Sequence, residues 1–232
     1  MKLAIMQPYF KPYIGYFQLI NAVDLFIVYD NIKYTKKGWI NRNRMLRDDK
    51  DVTFSLPLKK DSDSLNIVER ELSVDFDCDK LLRQFEGTYW RAPYFEQTFP
   101  LLEQIVRYKE INLFRFLHHS ITKTCLHLGI TTKIKTSSEI LIEHTLQSQD
   151  KVLALCSAAG ATTYINAIGG VALYSKNTFS DKGFDLKFLK SNHLEYMQFN
   201  DKFLAWLSII DVMMFNALDV IKSSMLINYE LV

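Results

Sequence analysis

The chain has 232 residues, of which 48% are hydrophobic and 23% charged, proportions of a globular domain large enough to bury a full core. A formal net charge of +2 is far from the basic excess that marks nucleic-acid binding, and no apolar run reaches the roughly 18 residues a spanning helix needs, so a cytoplasmic protein with no nucleic-acid partner and no membrane span is expected. Cys78, Cys125 and Cys156 lie far apart without a C-x-x-C spacing, which argues against a disulfide framework or a zinc knuckle and for reduced thiols.

Leu3-Ala4-Ile5-Met6 is short and apolar and ends at Gln7-Pro8, the pattern of a buried strand whose carboxyl end meets a cleft. Helical periodicity runs from about Ile14 to Val23, and Leu25 to Tyr29 forms a second strand that stops at Asp30. Strand, helix and strand within some thirty residues make a parallel crossover unit. The junction between the first two elements is a helix N-terminus beside a strand end, with free N–H groups and a positive dipole end. It carries Gln7, Tyr9, Tyr13, Gly15 and Tyr16, and reads as the first wall of a ligand site.

Lys33 to Asn43 is a basic loop, Val52 to Pro57 a strand, Lys59 to Ser64 a charged turn and Asn66 to Ser73 a further strand. Helices are expected over Asp77–Tyr89, Phe95–Tyr108 and Asn112–Leu128, the last ended by Gly129. Thr132–Thr136 alternates like a strand, Ser137–Glu139 begins a short turn, and Asp150 caps a helix that runs to Ala159-Gly160. Thr163–Ile165 is a strand that stops at Asn166, with Gly169-Gly170 close behind, and Phe184–Leu189 is another. Phe203 to Val220 reads as one final apolar helix carrying Ser208, Asp211 and Asn216, with Ser208 and Asp211 on one face. The fold class is α/β: an N-terminal Rossmann-like sheet, parallel or mixed, with flanking helices and a more helical C-terminal half. Residues 1–232 form a single domain with a soft subdivision near 75–80.

Asp30 sits where acceptors at parallel strand ends hold a ligand hydroxyl or amine, although a turn-forming Asp bonded to its own loop fits equally. Behind it, Lys36-Lys37-Gly38-Trp39-Ile40-Asn41-Arg42-Asn43 places cations, an indole and amides together: Arg42 has the fork for a phosphate or carboxylate, and Trp39 the face for a base or sugar. Of the histidines, adjacent His118 and His119 point apart on a helix, so no metal site is expected, and His193, after Ser191-Asn192, is the candidate general base. Cys125 and Cys156 fall on apolar helical patterns as core residues, and Cys78 between acids is a poor thiolate. Ser208 and Asp211 have a structural reading, a buried Asp on an apolar helix being held by internal partners. Pro12-Tyr13-Ile14-Gly15-Tyr16 resembles the strand-turn-helix opening of nucleotidylyltransferases, with tyrosines where those enzymes have histidines, so the imidazolium that stabilises a leaving phosphate is missing.

A longer set of residues is similar to the WbqC-like proteins: Met6 to Phe10, Pro12 to Phe17, Asp30, Gly38 to Asn43, Tyr164 to Gly170 with Leu173-Tyr174, and Leu207 to Asp211. These matches follow one another in order across nearly the whole chain, with residues 60–110 matching loosely. Members of that family tend to be bacterial proteins encoded among genes for O-antigen and other surface polysaccharides. The resemblance implies a soluble transferase acting on a nucleotide-activated amino sugar, attaching a glycyl or similar acyl group delivered by an acyl or aminoacyl carrier, without a cofactor. In that setting Arg42 and Lys37 would hold a diphosphate, Trp39 or Tyr13 a base or sugar, and Asp30 or His193 would take the amine proton. Gln7, Tyr9, Gly15, Asn41, Asn43, Asn166, Gly169 and Gly170 complete the expected ligand walls. A non-catalytic nucleotide- or sugar-binding accessory protein is the alternative, and a diverged nucleotidylyltransferase the second.

Overall fold

The structure, a computed structural model, describes residues 1–200 and 202–232. Strand β1 (Lys2–Met6) leads through a turn into helix α1 (Ile14–Asn21), and β2 (Leu25–Val28) returns parallel to β1, pairing Leu3 with Leu25 and Met6 with Val28. β3 (Arg42–Arg47) and β4 (Lys50–Ser55) form a separate hairpin closed by Asp48 and Asp49, both in the left-handed region that a two-residue turn between right-twisted strands requires. Helices α2 (Cys78–Tyr89), α3 (Phe95–Val106) and α4 (Leu113–His127) follow, and Asn112 caps α4 through Arg115 N–H at 3.0 Å. Gly129, at φ 69°, ends that segment, since only glycine adopts this conformation without crowding a Cβ.

β5 (Lys133–Thr136) pairs with β2, α5 (Ser148–Ala159) crosses over, and β6 (Thr163–Ala167) comes back to the free side of β1. After α6 (Lys176–Asp181), β7 (Asp185–Ser191) lies parallel to β6; α7 (Ile209–Phe215) and α8 (Leu218–Ser223) precede β8 (Tyr229–Leu231), which is antiparallel to β7. The sheet order is β5-β2-β1-β6-β7-β8, so the fold is α/β with a mostly parallel sheet and flanking helices, and four of its six strands come from the second half of the chain. Alternation sorts the strands between two cores. Leu3, Ile5, Leu25 and Ile27 meet Val152, Leu155 and Cys156 of α5, while Ala4, Phe26 and Val28 meet Phe17 and Ile20 of α1 on the other face. Burial on both faces explains why these strands read as unbroken apolar runs.

Three expected elements differ. Asn66–Ser73 is no strand: Ile67–Glu69 is a 3₁₀ turn closed by a capping box in which Asn66 N–H donates to Glu69 Oε2 at 2.8 Å. α5 begins at Ser148, so Asp150 lies in its first turn, where its charge favours the dipole, and is not the cap. The expected helix over Phe203–Val220 is broken twice. Trp206 takes a positive φ of 63°, Ser208 caps α7 by accepting from Ile210 N–H at 3.2 Å, and Asn216 is extended between α7 and α8. Ser208 therefore shares no helical face with Asp211.

Candidate functional site

The chain winds outward from β1 through β2 to β5, then restarts on the other side of β1 with β6 and β7. That reversal makes a switch point between β1 and β6, and in open parallel sheets the crevice beyond the carboxyl strand ends at such a point is where ligands bind. A cavity of about 370 Å³ lies there, walled by Ile14 at the start of α1, Ile168 after β6, His193 after β7, and Phe203, Leu207 and Val212. A second cavity of about 220 Å³ adjoins it, walled by Tyr9, Pro12, Trp39, Asn43 and Arg44. Tyr13 and Trp206 line both, their ring centroids 5.6 Å apart, and form the partition.

Each part of this partition has a local cause. A Cβ on Gly15 would lie 2.1 Å from the Tyr13 hydroxyl, so the glycine makes room for the Tyr13 ring over the first turn of α1. Trp206 is held in its left-handed conformation by Arg44, whose Nη2 donates to the Trp206 carbonyl at 3.1 Å while Nη1 meets Asp51 at 2.9 Å. Trp206 as a residue stays 63% exposed. On the far side, the Arg42 and Arg44 guanidinium carbons each lie 5.6 Å from the Trp39 ring centroid, a cationic and aromatic surface at the mouth of the smaller cavity.

The larger cavity is apolar because its polar neighbours are engaged elsewhere. Lys190 Nζ meets Glu230 at 2.7 Å, Ser191 Oγ donates to Gln18 Oε1, Asn192 Nδ2 donates to Asn228 Oδ1 at 3.0 Å, and the Tyr196 hydroxyl donates to Asp211 Oδ1 at 2.7 Å. Burial pushes the Asp211 carboxyl up to about 6 even though Tyr196, Gln198 and Tyr89 all donate to it. Burial likewise raises the Tyr196 phenol, with the Asp211 charge adding to it. His193 lines the cavity exposed, its Nε2 3.4 Å from Glu195.

The structure brings Tyr9, Tyr13, Trp39, Asn43 and His193 to these two cavities. Asn43 also ties the wall together, its amide donating to the carbonyls of Phe10 at 3.2 Å and Lys11 at 2.8 Å. Asp30 lies elsewhere, beyond β2 on the side of β5, lines neither cavity and is 1% exposed. Its Oδ1 accepts from Ser137 Oγ at 2.6 Å and Ser138 N–H at 3.0 Å, and its Oδ2 from Ser138 Oγ at 2.6 Å. Asp30, expected as a proton acceptor in the cleft, is thus placed apart from both cavities, its carboxylate buried and accepting three hydrogen bonds.

Arg42 turns inward along its own loop, with Nε donating to the Gly38 carbonyl at 3.0 Å and Nη2 to the Lys37 carbonyl at 2.5 Å, while the Lys37 side chain is exposed. Asn41 is a brace, accepting from the Tyr34 hydroxyl at 2.8 Å and donating to the Leu56 carbonyl at 2.7 Å. Gln7 contributes its carbonyl to the Tyr16 hydroxyl at 3.0 Å. Asn166 is 5% exposed and bonds Ala167 N–H at 2.7 Å; a Cβ on Gly170 would lie 2.7 Å from its Nδ2, so that glycine seats Asn166, and Gly169 is solvent-facing. Ile168, between them, is the residue of this turn that lines the larger cavity. Ser208 donates to the Lys11 carbonyl at 2.7 Å, fixing the turn that presents Tyr13.

Trp206, Arg44, Tyr196 and Phe203 were not legible as cleft residues. One signal points to Phe203 and Trp206: Ser208-x-x-Asp211 ahead of an apolar run is a helix start, which leaves 203–207 outside the helix and its tryptophan free. Tyr16, where a nucleotidylyltransferase has a histidine, is buried with its phenol raised well above the ordinary range by that burial, and cannot replace an imidazolium.

The fold is thus a mostly parallel α/β sheet with a divided, aromatic-lined cleft at its switch point. The chain belongs to the WbqC-like protein family, whose model matches residues 7–223. The uncharacterized protein Rv1507c of Mycobacterium tuberculosis is 27% identical over 215 residues, covering 91% of this chain and 92% of that protein. No solved structure matches the chain significantly.

Proposed function

We propose that this protein binds a nucleotide-activated amino sugar in the divided cleft and transfers an acyl group to the sugar amine. The observation that carries this reading is the Tyr13–Trp206 partition, with Trp39, Arg42 and Arg44 on one side and His193 on the other. Aromatic faces suit a base and the C–H face of a sugar, and the exposed Lys36 and Lys37 beside Trp39 supply charge for a diphosphate. The sugar amine then projects past the partition toward His193, which takes its proton as it attacks the acyl carbonyl. Asp30 has no part in this step.

Testing it requires the purified chain, UDP-, dTDP- and GDP-linked amino sugars and acyl thioester donors. One combination turns over, and His193→Gln loses about 10²–10⁴-fold in kcat while sugar-nucleotide binding is retained. A second reading, a non-catalytic binder, is favoured by one specific feature: among the described residues, the cavities hold no cysteine, and Ser191 is engaged with Gln18. Binding without turnover, unchanged in His193→Gln, selects it.

A further inference from the structure

We infer that the larger cavity holds the acyl chain of the donor, and that the transferred group is an uncharged acyl of several carbons, not an aminoacyl group. This rests on the transferase reading above. Ile14, Ile168, Leu194, Phe203, Leu207 and Val212 surround the space, and a cavity of about 370 Å³ exceeds what an acetyl or glycyl group fills. An ammonium placed there meets no compensating charge: among the described lining residues none is Asp or Glu, and the one lysine, Lys190, is held in an ion pair with Glu230. Glu195 lies outside the lining and faces solvent, its Oε2 3.4 Å from His193 Nε2, and Asp211 lies behind the Tyr196 hydroxyl. A diphosphate is equally unsuited, because Lys190 is paired with Glu230 and the polar groups of Ser191 and Asn192 are turned to Gln18 and Asn228.

The occupant is therefore apolar, and its reactive end lies where His193 and the Tyr13–Trp206 partition meet. With a thioester donor, the sugar amine attacks the carbonyl carbon, the C–N bond forms and the C–S bond breaks. The thiolate leaves with the electron pair, and the proton shed by the amine passes through the His193 imidazole to that thiolate. Trp206 separates the two substrates and sets how far each reaches.

Calorimetric titration of the full chain with acetyl, butanoyl, hexanoyl and glycyl thioesters of N-acetylcysteamine tests this. The expected affinity rises about 4-fold per added methylene, and the glycyl thioester binds at least about 10-fold more weakly than the butanoyl one, about 4-fold from its missing carbon and the rest for want of a partner to its ammonium. Ala205→Phe, which fills the cavity from the 203–207 loop, flattens the series, and Ile168→Trp does so from the opposite wall. A flat series in the natural chain, a glycyl thioester as tight as butanoyl, or a full slope in whichever filled variants fold overturns the assignment. Turnover of the nucleotide-linked amino sugar with the acetyl thioester, followed separately, reports on the transferase reading, so a failure of that reading is distinguishable from a failure of the chain-length series.

Discussion

Asp211→Ala lowers the unfolding free energy by about 3–5 kcal/mol, because it leaves buried donors without an acceptor at about 1–3 kcal/mol each. The carboxylate is fully buried and collects the Tyr196 hydroxyl at 2.7 Å, Gln198 Nε2 at 2.8 Å and the Tyr89 hydroxyl at 3.1 Å. Through them it joins α7 to the 196–198 segment and to α2, and the Tyr89 hydroxyl in turn accepts Leu46 N–H from the β3–β4 hairpin at 3.2 Å. Asp211→Asn keeps the volume but turns an NH₂ toward donors, and recovers only part of the loss. The pH dependence has a definite sign. Folding raises this carboxyl from 3.8 to about 6, so its protonation favours the folded state. That contribution is complete below pH 3.8 and fades as pH rises through about 6, and the variant lacks this slope. Urea unfolding across that window measures both effects; a loss below about 1 kcal/mol at pH 7 would mean that the network is not holding the fold.

Lys11→Met has the opposite effect, a gain of about 4 kcal/mol at pH 7, from the cost of holding a lysine in an environment that disfavours its charge. Lys11 is fully buried, its ammonium nitrogen meets Thr124 Oγ1 at 3.1 Å, and burial brings its pKa down from 10.5 to about 7. His119 and His127 on α4 face the same region, each held below the ordinary histidine value first by burial and then by neighbouring cations that include Lys11. Because the folded form sheds the Lys11 proton where the unfolded chain keeps it, stability rises with pH between about 7 and 10.5. Lys11→Met removes that rise and retains the fold, since Thr124 still donates to the Ser120 carbonyl at 2.7 Å. Denaturant midpoints from pH 6 to 10 decide it; an undiminished slope in the variant would contradict this account of Lys11.

What the sequence reveals follows from how local each cause is. Strands buried on both faces announce themselves as apolar runs, and Asn112, Gly129 and Gly160 mark helix ends by side-chain capping and left-handed geometry, all within a few residues. Asp30 sits at a strand end, as expected of a ligand acceptor, yet its fate depends on Ser137 and Ser138, which arrive beside it only because β5 pairs with β2. Likewise Tyr13 is legible as a wall, but its partner Trp206 lies nearly two hundred residues away, inside a segment whose apolarity mimics a helix. His193 reached the cleft because β7 delivers it to the same carboxyl edge as β1 and β6.

The central claim is that the cleft divided by Tyr13 and Trp206 takes a nucleotide-activated sugar, and thermal unfolding with UDP-, dTDP- and GDP-sugars tests it most directly. A bound ligand at a hundred times its dissociation constant adds about 2.7 kcal/mol, a rise of roughly 5–10 °C in Tm for a chain of this size. One of these ligands gives that rise, and Trp206→Ala, which alters a largely exposed ring, abolishes most of it without unfolding the protein. No rise with any of them, or a full rise retained in Trp206→Ala, would contradict the assignment.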